Sequence, residues 1–482
     1  MAIYRSTNPT EFDDVDGIII NETAPAPNIS GVEANVAILV GQFERGLAPL
    51  AEVGSIGELH EVYGADPDFE GNKALKNKKF GRLRIARVIA ADGVVATKAF
   101  QSSTTDRITF SAKQGKGAYG NGITVTIATG TNVGKKYTIA DTNSTAVLPV
   151  EVYDDVEIAD ITTSTFAASK LITAVVNSTA AEPTNAAATA LATGSDGTIV
   201  NGDYEDAIAE CEVEGAGNFL FLDVYNDTRN GYLEAHAAAT ADKMVIIAGA
   251  ESDTVANAIT DVADYRDTEG RIIYAYPWVQ TVIGGANVYQ SPASWYASIL
   301  SQSAPHIDPA YVSNSQYLGG ITGLKLNLSR ANYIALKYAG ISAFEYDSDI
   351  GFKVKSGVVT QISNSSKIMV MRRRMADYLA VSIAKYLKNY QNAPNTLQNR
   401  SEVKAAIVRW DNEQENSGIL PKNSEVASGL AKLIDTESLN TDASIAAGFF
   451  KVLYKRRIYS SMRFIVLQAE IGESVVVTEG EA

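Results

Sequence analysis

Asp223, His236 and a serine are the raw material of a nucleophilic triad, and GKGAYG (Gly115, Gly117, Gly120) matches a dinucleotide fingerprint letter for letter. Asp223 follows the apolar run FLFL, and α/β enzymes place catalytic groups at the ends of parallel strands. A serine nucleophile there needs a sharp strand-to-helix turn, and the chain has no GxSxG elbow. The fingerprint in turn needs a following helix whose first amides meet the pyrophosphate. NGITVTIATG follows instead, a strand pattern, so these glycines are expected to turn the chain between two β elements. No GxxxxGK[ST] phosphate loop occurs. The histidines, His60, His236 and His306, lie far apart and lack metal-ligand spacing such as HExxH. Cys211 is the single cysteine, which excludes an internal disulfide framework and a Cys-based zinc cluster; DAIAECEV suits a buried thiol. The acidic pairs Asp13/Asp14 and Asp154/Asp155 fall in loops or near a chain end and read as solvated carboxylates. No catalytic set emerges, and the expectation is a protein that is not an enzyme and needs no cofactor or metal.

The residues best suited to an encounter are cationic. Residues 365–390, SSKIMVMRRRMADYLAVSIAKYLKNY, hold six Lys or Arg against one acid, Asp377, in a chain of net charge −15. At 100° per residue, Ile368, Met371, Met375, Leu379, Ile383, Tyr386 and Tyr390 fall on one stripe. Lys367, Arg373, Arg374, Lys385 and Lys388 gather on the opposite side, with Arg372 the exception. The pattern predicts a helix docked by its apolar face, with a cationic ridge that is either a solvated face or a binding surface. The overall negative charge disfavours broad binding to nucleic acid or anionic membrane, although a local patch can still act, which leaves a binding module using the basic helix on nucleic acid as the alternative reading.

The elements that carry these residues are of two kinds. GVEANVAILVGQF and RLRIARVIA read as strands around the helical SIGELHEVYG and FEGNKALKNKKFG, an α/β unit. RITFSA, ITVTIATG, KKYTIAD, AVLPVEVYDDVEI and KLITAVVN are short Thr/Val/Ile-rich runs broken by turn residues, which predict an antiparallel sandwich or barrel. STAAEPTNAAATALATGSDG then reads as a low-complexity linker. Beyond it FLFLDVYND, GYLEAHAAATA, KMVIIAGA, ESDTVANAITDVADYRDT (Ser252 as N-cap) and RIIYAYPWV alternate strand and helix, which predicts a parallel sheet covered by helices. At 482 residues, 46% apolar and 20% charged, two to four folded domains are expected. No run of about 18 apolar residues occurs and the first residues lack an apolar signal core, so a soluble protein made in a reducing cytoplasm is expected. Both ends carry strand-like runs without an obvious neighbour, VDGIIIN and ESVVVT; such open edges fold back or add to another molecule's sheet.

Several of these segments, taken in order, resemble the contractile tail sheath proteins of bacteriophages and related injection machines. GVEANVAILVGQFERGLAPLAEVGSIGELHEVYG is similar to the family's opening strand, turn and helix, and GKGAYGNGITVTI to its Gly-aromatic-Gly-Asn turn before a strand. GSDGTIVNGDYEDAIAECE resembles the start of its central domain, and YAGISAFEYDSDIGFKVKSGVVTQ its turn and Gly-strand before an Arg-rich helix. SPASWYASILSQSAPHIDPA lacks the family's Asp-Ala-Glu-Arg-Gly run. The resemblance implies a multidomain α/β plus β fold: an arm at 1–22, an inner α/β segment at 23–99, a β-rich domain at 100–195, a subtilisin-like non-catalytic α/β domain at 196–364, and a C-terminal inner domain at 365–482. It further implies stacked hexameric rings around a tail tube, in a phage tail or a headless injection particle, with contacts to tube, baseplate and tail terminator proteins and none to nucleic acid or membrane. The location implied is the virion tail, after assembly in the host cytoplasm. Lys367, Arg373, Arg374, Lys385 and Lys388 would then face the tube. Gly17, Ile18, Ile19, Ile20 and Asn21, and Glu473, Ser474, Val475, Val476, Val477 and Thr478, would be strands exchanged between subunits.

Overall fold

The computed structural model of the chain describes residues 3–5, 18–20, 29–46, 50–145, 148–162, 164–213, 215, 217–240, 242–363 and 367–462. Two compact units make up the chain: Glu33–Tyr378 with Ser460–Ala482, and Met1–Val32 with Leu379–Tyr459.

In the larger unit, VAILVG, FLFL, MVIIA and IIYAY are apolar at almost every position, as strands covered on both faces must be. They form the fully buried strands Val36–Gly41, Phe219–Leu222, Met244–Ala248 and Ile272–Tyr276. All four lie in one eight-stranded sheet, in the order Gly351–Val354, Ile341–Asp347, Ile272–Tyr276, Met244–Ala248, Phe219–Leu222, Val36–Gly41, Arg82–Arg87, Ala51–Val53. The six inner strands run parallel and the two edge strands antiparallel. Alternate side chains feed two cores. Leu39, Phe221 and Ile246 meet Trp295 and Ile299 of the buried helix Pro292–Gln302. Ile38, Leu220 and Val245 meet Tyr204, Leu233 and Leu336 from the helices Asn201–Ala209, Asp227–Ala239 and Arg330–Ala339.

The sheet corrects the separation of residues 23–99 from 196–364. Phe219 pairs with Ala37 and Leu222 with Val40, so both segments build one layer. An insertion between them hides the pairing from any local pattern. That insertion contains two antiparallel sheets, one of Glu151–Val156, Lys135–Asp141, Ile123–Thr129 and Ala186–Ala190, the other of Ile172–Val176, Thr105–Ala112 and Thr97–Ser102. They share a core in which Phe110, Tyr137 and Phe166 meet edge to face. The chain enters and leaves through a two-stranded neck, Val94 opposite Ser195 and Thr97 opposite Ala192. The buried guanidinium of Arg45 links the insertion to the helix Ile56–Tyr63, lying 3.4 Å from Asp141 and donating to the carbonyls of His60 and Glu61 at 2.9 and 3.0 Å.

Two local expectations also change. The supposed linker contains the edge strand Ala186–Ala190, with Ala186 opposite Ile127 and Thr189 opposite Val125. Alanine's weak strand preference conceals it; pairing to a neighbour, not propensity, makes the strand. The helix at Val255 is capped by Thr254, whose hydroxyl accepts from Asn257 N–H at 3.2 Å, and Ser252 precedes the cap.

The smaller unit contains the helices Leu397–Asn416 and Asp442–Ala446 and an antiparallel ribbon of Lys432–Asp435 with Leu453–Arg456. It also contains a parallel pair, Ile3–Arg5 with Ile18–Ile20, and Val32 N–H donates to Ser382 Oγ at 3.0 Å. The helix Val370–Leu387 carries the boundary between the two units, which falls between Tyr378 and Leu379.

Candidate functional site

The apolar stripe of the basic helix is buried as its spacing predicts: Met371, Met375, Leu379, Ile383 and Tyr386 are each at most 5% exposed. Ile368 and Tyr390 at its ends are half-buried.

The cations divide in a way that the wheel does not anticipate. Arg374 is buried, and it caps the C-terminal end of Pro292–Gln302. Its guanidinium donates to the carbonyls of Leu300 (3.0 Å), Ser303 (2.7 Å) and Ala304 (3.4 Å), to Ser303 Oγ (3.1 Å) and to Asn35 Oδ1 (3.1 Å), and lies over the Phe219 ring. These carbonyls are the orphan acceptors at the negative end of a helix, where a cation is favoured. Burial lowers the guanidinium to about 9. Arg374 is therefore a structural cap and not part of a solvent-facing ridge. It sits three residues after Met371, within reach of the apolar stripe, and the first turns are enclosed on more than one side.

Arg373 is likewise drawn inward, with 13% of its side chain exposed; its Nε donates to Asp377 at 3.2 Å, and Glu269 lies 3.8 Å away. Asp377 accepts a bidentate pair from Arg271, both bonds at 2.9 Å, so one buried carboxylate serves two guanidiniums. Lys367 pairs with Glu269 at 2.8 Å, and Arg372 donates to Ser460 Oγ. Lys385 and Lys388 are exposed. Of the five residues expected on the ridge, these two retain an outward position.

At the chain ends, Ile18–Ile20 pairs in parallel with Ile3–Arg5. Gly17, Asn21 and Glu473–Thr478 lie outside the described residues.

A charge cluster in the smaller unit is absent from the sequence expectations. Asp411 and Glu415 stand one turn apart on Leu397–Asn416 and face Lys432 and Arg456 of the ribbon. The signal available was the i, i+4 acid pair directly after the buried Trp410, which a reading for catalysis passes over.

The catalytic candidates take structural roles. Asp223 sits where the strand order reverses, between the C-terminal ends of Val36–Gly41 and Phe219–Leu222, the position at which open α/β sheets bind ligands. The chain fills that position itself. Asp223 accepts from Gln42 N–H (2.8 Å), Val224 N–H (2.8 Å) and the Tyr204 hydroxyl (3.0 Å), and the Arg229 guanidinium covers the Tyr204 ring. A Cβ on Gly41 would come within 2.7 Å of the Asp223 side chain, so glycine permits the approach. His236 is buried with neither ring nitrogen hydrogen-bonded to protein, so no Asp–His pair forms. Gly117, at φ 146°, opens the short 3-10 turn Ala118–Gly122 before the strand Ile123–Thr129, as expected, and the amide of Ala118 is taken by Asp196 at 3.1 Å. Cys211 is buried and its thiol is pushed up to about 12. Among the described residues, no group of three or more His, Cys, Asp or Glu is placed to hold a metal, and no helix is long and apolar enough to cross a membrane.

Burial raises the Asp223 carboxyl from 3.8 to about 6 despite its donors. The folded state therefore binds this proton more tightly than the unfolded one. The contribution is complete below about pH 4 and lost as pH rises through about 6, at most about 3 kcal/mol. Urea melts between pH 4 and 7 are expected to show that loss in the wild type and a flatter profile in Asp223→Asn.

No family model matches the sequence, and no curated protein matches it. Solved structures do. The sheath tail protein from Listeria innocua superposes with a TM-score of 0.65 at 16% identity, over 86% of this chain and 90% of that one. A sheath tail protein from Desulfitobacterium hafniense gives 0.60 at 18% identity, over 92% of this chain and 100% of that one. The helical sheath of the anti-feeding prophage, in its contracted state, gives 0.57 at 15% identity, over 96% and 99%. The chain has the fold of tail sheath proteins, across nearly its whole length.

Proposed function

We propose that the chain is a structural subunit of a contractile tail sheath, which polymerises around a tail tube and shortens to drive that tube forward. The observation that carries this reading is the sheath fold spanning both units, with coverage of 86–96% of the chain in three sheath structures. A phage tail and a headless injection particle both agree with this reading, which the likeness to sheath tail proteins and to the helical sheath of the anti-feeding prophage supports.

In this reading subunits stack as hexameric rings, and strands from both chain ends join subunits. Gly17–Asn21 and Glu473–Thr478 are the donor segments, and main-chain hydrogen bonds between subunits let the contacts persist through contraction. The ribbon Lys432–Asp435/Leu453–Arg456 suits the acceptor, because its two outer edges have no strand beside them among the described residues. Contraction draws on the difference between extended and contracted lattices, summed over many subunits, and needs no nucleotide. Baseplate and terminator proteins close the two ends of the polymer.

The tube contact falls to the smaller unit. Its segment Leu379–Tyr459 carries eleven Lys or Arg against eight Asp or Glu, a cationic surplus that its other segment, Met1–Val32, with one Arg against five Asp or Glu, does not share. An acidic tube surface is the matching partner, and exposed pairs worth about 0–1 kcal/mol each release readily. Lys385→Glu/Lys388→Glu is expected to leave the subunit folded and able to pellet as polymer, while losing decoration of tubes in mixed preparations. Arg373 and Arg374, committed to internal partners, are excluded from that test. Unchanged decoration by the double variant removes Lys385 and Lys388 from the contact; a wild-type chain that never pellets removes the sheath reading.

A further inference from the structure

An isolated two-stranded ribbon is marginal in water and needs a support to hold its shape. In the smaller unit Val403, Ile407 and Trp410 of the helix Leu397–Asn416 are buried, and charged groups lie beside them. Strand alternation places Lys432, Ile434, Tyr454 and Arg456 on one face, with Lys432 opposite Arg456 and Ile434 opposite Tyr454. Ile434 is the one buried apolar residue among these four; the other face carries Leu433, which is 49% exposed.

What faces the helix Leu397–Asn416 is charge. Asp411 is completely buried, Arg456 nearly so, and Lys432 and Glu415 largely. Lys432 Nζ lies 3.0 Å from Asp411 Oδ2 and 3.1 Å from Glu415 Oε1. Arg456 Nε lies 3.2 Å from Asp411 Oδ1, and its Nη2 donates to Glu415 Oε1 at 2.9 Å. The Tyr454 hydroxyl donates to Asp411 Oδ1 at 2.6 Å. Asp411 thus touches both strands and all three polar side chains of the inner face, and Glu415 reaches only two of them.

We propose that Asp411 is a positioning residue for polymerisation: it fixes the ribbon on the helix so that an outer edge stands ready to receive a strand from a second copy of the chain. The proposal rests on the strand-exchange reading above. Such an edge works as a template only if its carbonyls and amides stay in register, because an incoming strand must match several of them at once. Without Asp411 the two buried cations share the single carboxylate of Glu415, and the Tyr454 hydroxyl loses its acceptor on the helix.

The test uses the full chain. Asp411→Ala is expected to raise the concentration at which polymer first pellets about tenfold or more. Hydrogen exchange is expected to speed up at 432–435 and 453–456 and to stay unchanged at Phe219–Leu222. A second variant separates position from charge. Asp411→Leu/Glu415→Leu/Lys432→Met/Arg456→Met exchanges the network for apolar packing, a change that is often neutral or stabilising. It is expected to pellet as the wild type does, with a ribbon that exchanges as slowly. Wild-type pelleting by Asp411→Ala overturns the proposal, and so does a slow-exchanging quadruple variant that fails to pellet, since the charges themselves would then be the contact. Chains lacking 1–21 or 463–482 test the underlying reading separately. If both pellet normally, strand exchange itself fails. If either does not while Asp411→Ala does, the positioning role alone is lost.

Discussion

Exchanging Arg374 for glutamate is expected to destabilise the larger unit by about 5 kcal/mol or more, enough to unfold a domain of ordinary stability. The guanidinium supplies donors to three carbonyls at the end of Pro292–Gln302, in a site closed to water. Glutamate removes those donors and sets a negative charge against the negative end of the helix. Arg374→Lys keeps the charge but not the planar fork, and is expected to cost about 2–3 kcal/mol, because an ammonium cannot reach carbonyls on both sides. Lys385→Glu, on the exposed part of the same helix, is expected to stay within about 0.5 kcal/mol of wild type. Urea unfolding followed by near-ultraviolet circular dichroism measures all three, with the buried Trp295 as reporter. Equal effects at Arg374 and Lys385 would contradict the assignment of one to the interior and the other to the surface.

The second large effect is expected at Asp377. This carboxylate balances Arg271 through two bonds of 2.9 Å and Arg373 from the preceding turn. Asp377→Ala leaves two guanidiniums in a poorly hydrated site, and the loss is expected to be about 3–5 kcal/mol. Arg373→Met is expected to cost far less, about 1 kcal/mol, because Asp377 keeps its bidentate partner and no charge is stranded. The order Asp377→Ala, then Arg373→Met, distinguishes a carboxylate hub from a set of independent pairs. Chemical denaturation of the two single variants and the double variant gives the coupling directly.

The parts of the fold that sequence makes legible are those whose cause is local. VAILVG, FLFL, MVIIA and IIYAY read as buried strands because a strand covered on both faces has no polar position. The stripe from Met371 to Tyr386 reads as a helix because its period is 3.6. The partnership of Phe219–Leu222 with Val36–Gly41 is not legible, since 177 intervening residues, including the whole β insertion, separate Gly41 from Phe219. Ala186–Ala190 owes its strand to a neighbour and carries no signal of its own. The basic helix was half legible. Its apolar face follows from spacing, but the fate of each cation depends on whether an orphan carbonyl or a carboxylate from elsewhere lies within reach. Arg374 found the end of a helix, Arg373 found Asp377, and Lys385 points outward. The same blindness hid Asp411, whose partners are contributed by strands that follow it in the chain.

The central claim is that this fold assembles. Negative-stain electron microscopy of the purified full-length chain, concentrated stepwise, tests it most directly. The account predicts hollow, cross-striated cylinders of uniform diameter. Particles of single-subunit size at every concentration and salt would contradict it.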